Sequence, residues 1–157
     1  MKKKFSLQKG FTLVEVSLVA AIFFGMVGLA TVNLFKFQHQ ANIAGTVNSF
    51  LADMKEQQIK AMAGDTDGSA SVSAYGVHFE TSSYTLFRKS YGTNNFVIAL
   101  PSNITITATQ SATQVVFASG SGELASTTSA TVTFKDSGDS SQKVVTLNRY
   151  GVVISVN

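Results

Sequence analysis

The sequence predicts an α+β protein in which one long N-terminal α-helix packs on a C-terminal antiparallel β-sheet domain. Residues 11–35 are apolar almost without a break, and apolar residues then recur at spacings of three and four up to residue 63, as in a helix. From residue 65 onward, short alternating segments are separated by turn residues, which is the pattern of β-strands. The chain has 157 residues, of which 45% are hydrophobic and 13% charged, so it is not a disordered tail.

The positive charge of the chain is confined to its start. The formal net charge is +3, but four of the twelve basic residues, Lys2, Lys3, Lys4 and Lys9, precede Phe11. From Phe11 onward the chain has eight basic and nine acidic side chains, so its composition does not indicate a nucleic-acid partner. The absence of cysteine excludes a disulfide framework and thiolate metal sites.

The apolar run is long enough to cross a membrane. Between Val16 and Val32, only Ser17 and Thr31 are polar apart from glycine. At about 1.5 Å per residue the run spans a hydrocarbon core of about 30 Å. Because the lysines precede it, the positive-inside rule predicts a single-pass protein of the cytoplasmic (inner) membrane, with its N-terminus in the cytoplasm and its C-terminal domain outside.

A cleaved secretory signal is the alternative reading of this run, with Gly28-Leu29-Ala30 as the cleavage site. The run, however, exceeds the roughly 7–15 apolar residues of such signals. It also contains Glu15, and a charge deep in a membrane span costs about 2.5–3.5 kcal/mol on insertion scales. Glu15 therefore either has a partner or lies near enough to the interface to extend toward water.

The residues Gly10-Phe11-Thr12-Leu13-Val14-Glu15, behind a short Lys-rich leader, resemble the class III signal of type IV prepilins and pseudopilins. The resemblance implies that a membrane-embedded prepilin peptidase cuts between Gly10 and Phe11 and N-methylates Phe11. It also implies that the Glu15 carboxylate neutralises the new terminal amine of a neighbouring subunit during assembly. The implied partners are the prepilin peptidase, other pilin or pseudopilin subunits, the membrane and an inner-membrane assembly platform.

The helix is expected to continue beyond the membrane without a turn. Its apolar stripe consists of Leu34, Phe37, Ala41, Ala44, Val47, Leu51 and Met54. We expect this stripe, and Met62 with it, to be core, and Gly64 to end the helix before an Asp65-Thr66-Asp67-Gly68 loop. The predicted segments are a leader at 1–10, a transmembrane stem at 11–35, an amphipathic helical continuation at 36–64 and an extracytoplasmic β-domain at 65–157.

The C-terminal part predicts six to eight antiparallel strands in one or two sheets, with one face covered by the amphipathic half of the helix. The alternating segments lie at residues 75–79, 84–86, 96–100, 104–108, 115–117, 132–134, 145–147 and 152–156. Breaks follow at residues 81–83, 101–103, 120–122, 136–139 and 149–151.

Several strand motifs carry a second resemblance. They are Tyr75-Gly76-Val77-His78-Phe79, Tyr84-Thr85-Leu86-Phe87, Leu100-Pro101, Val116-Phe117 and the closing residues 145–152. Together they resemble the H-type minor pseudopilins of type II secretion (general secretion pathway protein H) and the FimT/FimU-like minor pilins. This resemblance implies a pilin-like fold and a structural role as a minor subunit of a type II secretion pseudopilus or a type IV pilus. The lack of cysteine departs from the many pilins that close a C-terminal loop with a disulfide.

The chain shows no metal, cofactor or catalytic motif. Asp65 and Asp67 lack the further ligands of a calcium loop, and Asp136 and Asp139 bracket a hairpin turn. The histidines, His39 and His78, have no third ligand nearby in sequence, and we find no nucleophile–base pair. We therefore predict that the protein is not an enzyme and that it holds no metal or cofactor.

Two other functions stay open at this stage. Arg88, Lys89 and Arg149 would be the contacts of a DNA-binding minor pilin in a competence pilus. Alternatively, the chain is a secreted or membrane-anchored monomeric β-domain that binds a ligand. The sequence does not distinguish a secretion pseudopilus from a pilus.

Overall fold

The computed structural model describes residues 10–92, 95–109, 113–125 and 129–157. The chain forms two compact units, Met1–Phe37 and Gln38–Asn157. Helix α1 spans Leu13–Ala63. It is followed by β1 Tyr75–Phe79, β2 Ser83–Arg88, β3 Asn95–Ala99, β4 Ile104–Thr109, β5 Gln114–Phe117, β6 Ser129–Asp136, β7 Gln142–Asn148 and β8 Val153–Val156. The predicted leader, apart from Gly10, lies outside the described residues.

Helix α1 ends in the loop that the sequence predicts. Gly64 adopts a positive φ of 64° and its N–H donates to the carbonyl of Ala61, while the N–H of Asp65 donates to the carbonyl of Lys60. This is the geometry by which a left-handed glycine satisfies the last carbonyls of a helix. The N–H of Asp67 then donates to the Asp65 carboxylate over 2.8 Å, so the acidic loop is a turn.

The eight strands form two antiparallel sheets of four strands each. Sheet 1 has the order β3-β2-β1-β5, and sheet 2 has the order β4-β6-β7-β8. In sheet 1, Val77 lies opposite both Leu86 and Val115, and in sheet 2, Val132 lies opposite Val145. Strands β3, β5, β4 and β8 are the edges. The predicted α+β class, with a long helix and antiparallel sheets, is confirmed.

Phe50 of α1 joins the two sheets into one core. Its ring is fully buried and lies 5.3 Å from the ring of Tyr84 in β2 and 5.9 Å from the ring of Phe79 in β1, both in sheet 1. On the other side, the ring of Phe134 in sheet 2 is 5.0 Å away. Centroid separations of about 4.5–7 Å are favourable for aromatic pairs, so one side chain stabilises the packing of the helix on both sheets.

The buried stripe of α1 differs from the predicted one. Val47 and Met54 are core as expected, but Phe37 is 69% exposed and Met62 is 51% exposed. The stripe that packs on the sheets consists of Ile43, Val47, Phe50, Met54 and Ala61. A long apolar helix contains more than one set of residues at three- and four-residue spacing, and the sequence does not say which set faces the sheets.

Gln58 of α1 is buried although its side chain is polar. It is 4% exposed, and its Nε2 donates to the carbonyls of Gly122 and Tyr150 over 3.0 and 2.8 Å. Its Oε1 accepts a hydrogen bond from Lys55. A buried amide with these partners satisfies its polar atoms and ties two loops of the domain to the helix.

Candidate processing and assembly site

The residues on both sides of the predicted cleavage position are exposed and lie outside the helix. Gly10, Phe11 and Thr12 have no helical backbone, and Phe11 is 85% exposed. A Cβ placed on Gly10 would meet no atom within 4 Å. The Gly10–Phe11 peptide bond is therefore accessible to an enzyme that binds an extended segment.

The helix starts with a reciprocal pair of hydrogen bonds between Thr12 and Glu15. The N–H of Glu15 donates to the Thr12 hydroxyl over 3.2 Å, and the N–H of Thr12 donates to Glu15 Oε2 over 3.5 Å. This is a capping box, in which the side chains of the N-cap and N3 residues satisfy backbone donors that have no partner within the helix. The Thr-x-x-Glu spacing signals this box in the sequence, and the capping role of Glu15 comes in addition to the pairing role that the family resemblance implies.

Two polar side chains deeper in the helix, those of Ser17 and Thr31, are satisfied by the helix itself. Ser17 Oγ donates to the carbonyl of Val14, and Thr31 Oγ1 donates to the carbonyl of Gly28, both over 2.8 Å. In a hydrocarbon environment each unsatisfied polar group is costly, so these local bonds make the segment compatible with a membrane.

Most apolar side chains of the stem (residues 11–35) are exposed in the part whose side chains the structure describes, residues 11–31 and 34–35. Leu13, Phe24 and Leu29 are 86%, 71% and 74% exposed. The most apolar 18-residue window of α1 has a mean hydropathy of 2.2, so the helix is long and apolar enough to cross a membrane. This exposed surface requires either lipid or other helices around it.

The Glu15 carboxylate lies on this apolar surface. A shallow groove of about 450 Å³ is lined by Glu15 together with Phe11, Val16, Val19, Ala20, Phe23 and Phe24. Among residues 10–92, 95–109, 113–125 and 129–157, no cationic side chain lies within 4.0 Å of Glu15, and the Thr12 backbone is its hydrogen-bond partner. The carboxylate retains acceptor capacity for a cation supplied from outside the chain.

His39, Asp136 and Asp139 form a cluster that the sequence analysis did not expect. Asp136 is fully buried, and its Oδ2 lies 3.0 Å from His39 Nδ1 and accepts from Asn103 Nδ2 over 2.8 Å. Its Oδ1 accepts from the N–H of Gly138 over 2.7 Å. The β6–β7 hairpin brings Asp136 to His39 of the helix across 97 residues, a contact that local sequence patterns do not predict.

This cluster works as a structural contact. Both oxygens of Asp136 already bind protein donors, as a buried carboxylate requires. The remaining member, Asp139, is exposed and accepts from the N–H of Ser141 over 2.9 Å, and the neighbouring Ser141 side chain and this N–H hold the pKa of the Asp139 carboxyl below the usual value. The hydrogen bonds therefore account for these side chains as parts of a hairpin turn and its docking to α1.

His78 lies on the outer face of sheet 1, and its ring stacks on Tyr91 at a centroid distance of 3.7 Å. Glu80 accepts hydrogen bonds from the hydroxyls of Ser83 and Tyr91. These two bonds lower the pKa of the Glu80 carboxyl. The group anchors the loop after β2 to the sheet.

The basic residues considered for DNA contact do not form an exposed cluster. Arg88 is 6% exposed, and its guanidinium donates to the Ser69 hydroxyl and the Ser71 carbonyl, both over 2.7 Å. Arg149 forms an ion pair with Glu123 at 3.4 Å. Arg88 is therefore a structural residue of the loop after α1, which corrects its assignment as a DNA contact.

Comparison with known proteins relates this fold to one solved structure. The minor pseudopilin EpsH from the type 2 secretion system of Vibrio cholerae matches with a TM-score of 0.53 and 16% sequence identity, over 74% of this chain and 96% of that one. No protein-family model and no curated protein matches the chain. The chain thus has a pseudopilin-like fold, as the sequence motifs predict.

Proposed function

We propose that this protein is a structural subunit of a type II secretion pseudopilus or a type IV pilus, processed after Gly10. One observation carries the proposal: an exposed, non-helical Gly10–Phe11 bond immediately precedes a capped, apolar helix whose first turn contains a carboxylate. The pseudopilin-like fold supports it, because the same helix continues into the core of the β-domain. The minor-subunit assignment rests on the sequence motifs.

The first step of the proposed pathway is removal of the leader. Hydrolysis of the Gly10–Phe11 bond by a prepilin peptidase releases residues 1–10 and leaves an α-amine on Phe11, which the peptidase then methylates. Glycine before the bond leaves the backbone accessible, and the capping box starts the helix at Leu13, two residues beyond the bond. The lysines of the leader orient the precursor with this bond at the cytoplasmic face.

The second step is assembly from the inner membrane. The amine of Phe11 is cationic, and the Glu15 carboxylate of a neighbouring subunit neutralises it when stems pack side by side. Pairing the two charges offsets the cost of burying either alone in an apolar bundle. The assembly platform would extract subunits from the membrane, so the mature chain would be found in the inner membrane and in an extracytoplasmic filament.

The proposed role is structural, and the chain is the substrate of its processing enzyme, which cleaves and methylates it. The residues close enough together to hold a metal ion, His39, Asp136 and Asp139, are engaged in hydrogen bonds of the hairpin turn and its contact with α1. A DNA-binding role is less well supported than the sequence suggested, since Arg88 is buried.

Mass spectrometry of the mature N-terminus, after expression with a prepilin peptidase, tests this function. We expect a chain that begins with N-methyl-phenylalanine at Phe11. A chain that begins at Thr31 would indicate an ordinary signal peptide and a free β-domain, and would contradict the proposal. Gly10→Ala and Gly10→Val form a graded pair, because a larger side chain before the bond should block cleavage progressively while expression and membrane insertion persist.

A further inference from the structure

Two of the grooves of the β-domain lie one on each side of α1, and both combine apolar side chains with charge. The first, which we call the acidic flank, is a groove of about 360 Å³ between α1 and β3, with Asp53, Glu56, Asp67 and Phe96 in its lining. The second, the basic flank, is a groove of about 260 Å³ between α1 and β8, with Leu51, Lys55 and Val153 in its lining. Each groove adjoins a sheet edge.

The two flanks lie on opposite sides of the helix. Asp53 and Lys55 are two residues apart, so their side chains point roughly 200° apart around an α-helix of 3.6 residues per turn. The α1 residues that line the acidic flank lie, on average, about three positions later in the sequence than those that line the basic flank. At the rise of an α-helix this is an offset of about 5 Å along the helix axis. The flanks thus face away from each other at nearly the same height.

The charges of the two flanks are opposite. On the acidic flank, Lys60 forms an ion pair with Glu56, and Arg88 is buried and bonded to the loop after α1. Asp53 and Asp67 have no cationic side chain within 4.0 Å in the described parts of the chain. The lining holds three carboxylates (Asp53, Glu56 and Asp67) and two cations (Lys60 and Arg88), so its net charge is −1.

The basic flank carries one cation, Lys55, without a carboxylate in its lining. Lys55 is exposed on α1 and donates a hydrogen bond to the neutral side chain of Gln58. Neither β7 nor β8 contains an acidic residue. The nearby Arg149 is already paired with Glu123.

The apolar parts of the flanks also match. Phe96 is 66% exposed and shares the face of β3 that lies toward Leu86 and the helix. On the basic flank, Val152, Val153 and Val156 are 50%, 37% and 41% exposed. A protruding aromatic ring and an apolar groove are the usual central contact of a protein interface, with charges around them.

We propose that the acidic flank of one copy of this chain docks on the basic flank of a second copy, with Phe96 seated against Val153 and the groove beside Lys55. Both surfaces belong to one chain and differ from each other, so the contact is heterologous and leaves a free flank at each end of a row of subunits. A small stagger between parallel helices extends such a row into a filament. The proposal deepens the filament function above by naming the surfaces through which β-domains meet.

Disulfide cross-linking tests this contact in the full-length chain in its membrane, because the natural chain has no cysteine. A chain with both Phe96→Cys and Val153→Cys should form a ladder of covalent oligomers on oxidation, whereas the single variants should give at most dimers. Val97→Cys with Val153→Cys is the matched control. Val97 is 61% exposed but lies on the opposite face of β3, so we expect its ladder to be at least about tenfold weaker.

The charge contribution is tested in the same cross-linking background. Lys55→Glu should reduce the ladder several-fold by placing like charges together, while Lys135→Glu, an exposed lysine on β6, should leave it unchanged. Equal ladders in the Val97 and Phe96 pairs, or an undiminished ladder with Lys55→Glu, would overturn the proposed contact. Cross-links formed only to a different protein would also overturn it.

Failure of this inference can be told apart from failure of the proposed function. A chain that starts at N-methylated Phe11 and is recovered in sheared filaments, yet forms no ladder, would overturn the flank contact and leave the filament function standing. A chain that starts at Thr31 would overturn the proposed function. In that case the presence or absence of the ladder of cross-linked oligomers would still show whether the flank contact forms.

Discussion

Thr12 and Glu15 each hydrogen-bond the backbone N–H of the other at the first turn of α1. This pairing gives Glu15 two distinct properties, namely an acceptor oxygen that caps the helix and a negative charge on an apolar surface. The cap needs the oxygen alone, whereas neutralising a neighbour's amine needs the charge. The two properties can therefore be separated by substitution.

Glu15→Gln and Glu15→Val should both be cleaved after Gly10 but should enter filaments about tenfold less than the wild-type chain in a co-assembly assay, because both lack the charge. Gln keeps an oxygen that can cap the helix, and Val does not. Thr12→Val is the reciprocal control: it removes the capping hydroxyl, at a cost of about 1 kcal/mol, and keeps the charge, so assembly should persist. Normal assembly of Glu15→Gln would assign Glu15 to the cap alone.

The sequence predicted the elements of this fold better than their orientation. Apolar periodicity placed α1 and all eight strands, because hydrophobic pattern and turn residues act locally. The prediction of which helix face packs on the sheets was partly wrong, since Phe50 and Gln58 contact partners that are distant in sequence. The His39–Asp136 contact was missed for the same reason, as nothing near either residue signals a contact across 97 positions.

Asp136 should be far more important for stability than Asp139. Asp136→Ala would leave the donors of His39, Asn103 and Gly138 without an acceptor in a buried position, so we expect the free energy of unfolding to fall by about 3 kcal/mol. Asp139→Ala, in the same turn but exposed, should cost much less. Urea unfolding of the full chain in detergent micelles, followed by tyrosine fluorescence, measures both.

The same experiment tests the structural reading of this cluster. Because both Asp136 oxygens bind protein donors, neither calcium nor a chelator should change the unfolding midpoint of the wild-type chain. A calcium-dependent midpoint that is lost in Asp139→Ala would contradict this and would make the turn a metal site.

Tyr84 should make the domain sensitive to alkaline pH. Burial raises the pKa of its hydroxyl above the ordinary value of 10.0, and its hydrogen bond to the Asp53 carboxylate raises the pKa further. Above about pH 10 the unfolded chain loses this proton while the native chain keeps it, so the free energy of unfolding falls as pH rises. Below pH 10 the contribution is fully present.

Unfolding measured between pH 8 and pH 11 checks this expectation. Tyr84→Phe should be less stable than wild type at pH 8, through loss of the bond to Asp53, and should show a smaller decline above pH 10. Tyr150→Phe, at an exposed tyrosine, serves as the matched control. If the free energy of unfolding of Tyr84→Phe fell above pH 10 as steeply as that of the wild type, the decline would come from another titrating group.

Gly151 should tolerate no side chain, for two separable reasons. It has a φ of 71°, and a Cβ there would lie 2.5 Å from Gln58 Nε2 and 2.8 Å from the Phe117 ring. Gly120 has a φ of 84° but open space around its Cβ position. Gly120→Ala should therefore cost about 1–2 kcal/mol for the left-handed backbone alone. Gly151→Ala should cost more, by about 1–3 kcal/mol of overpacking, because it also displaces Gln58 from the carbonyls it binds.

Urea unfolding, as for the Asp136 variants, measures both glycine variants. Equal losses of unfolding free energy in Gly151→Ala and Gly120→Ala would mean that the loops move to accept the methyl group and that Gln58 does not fix their position.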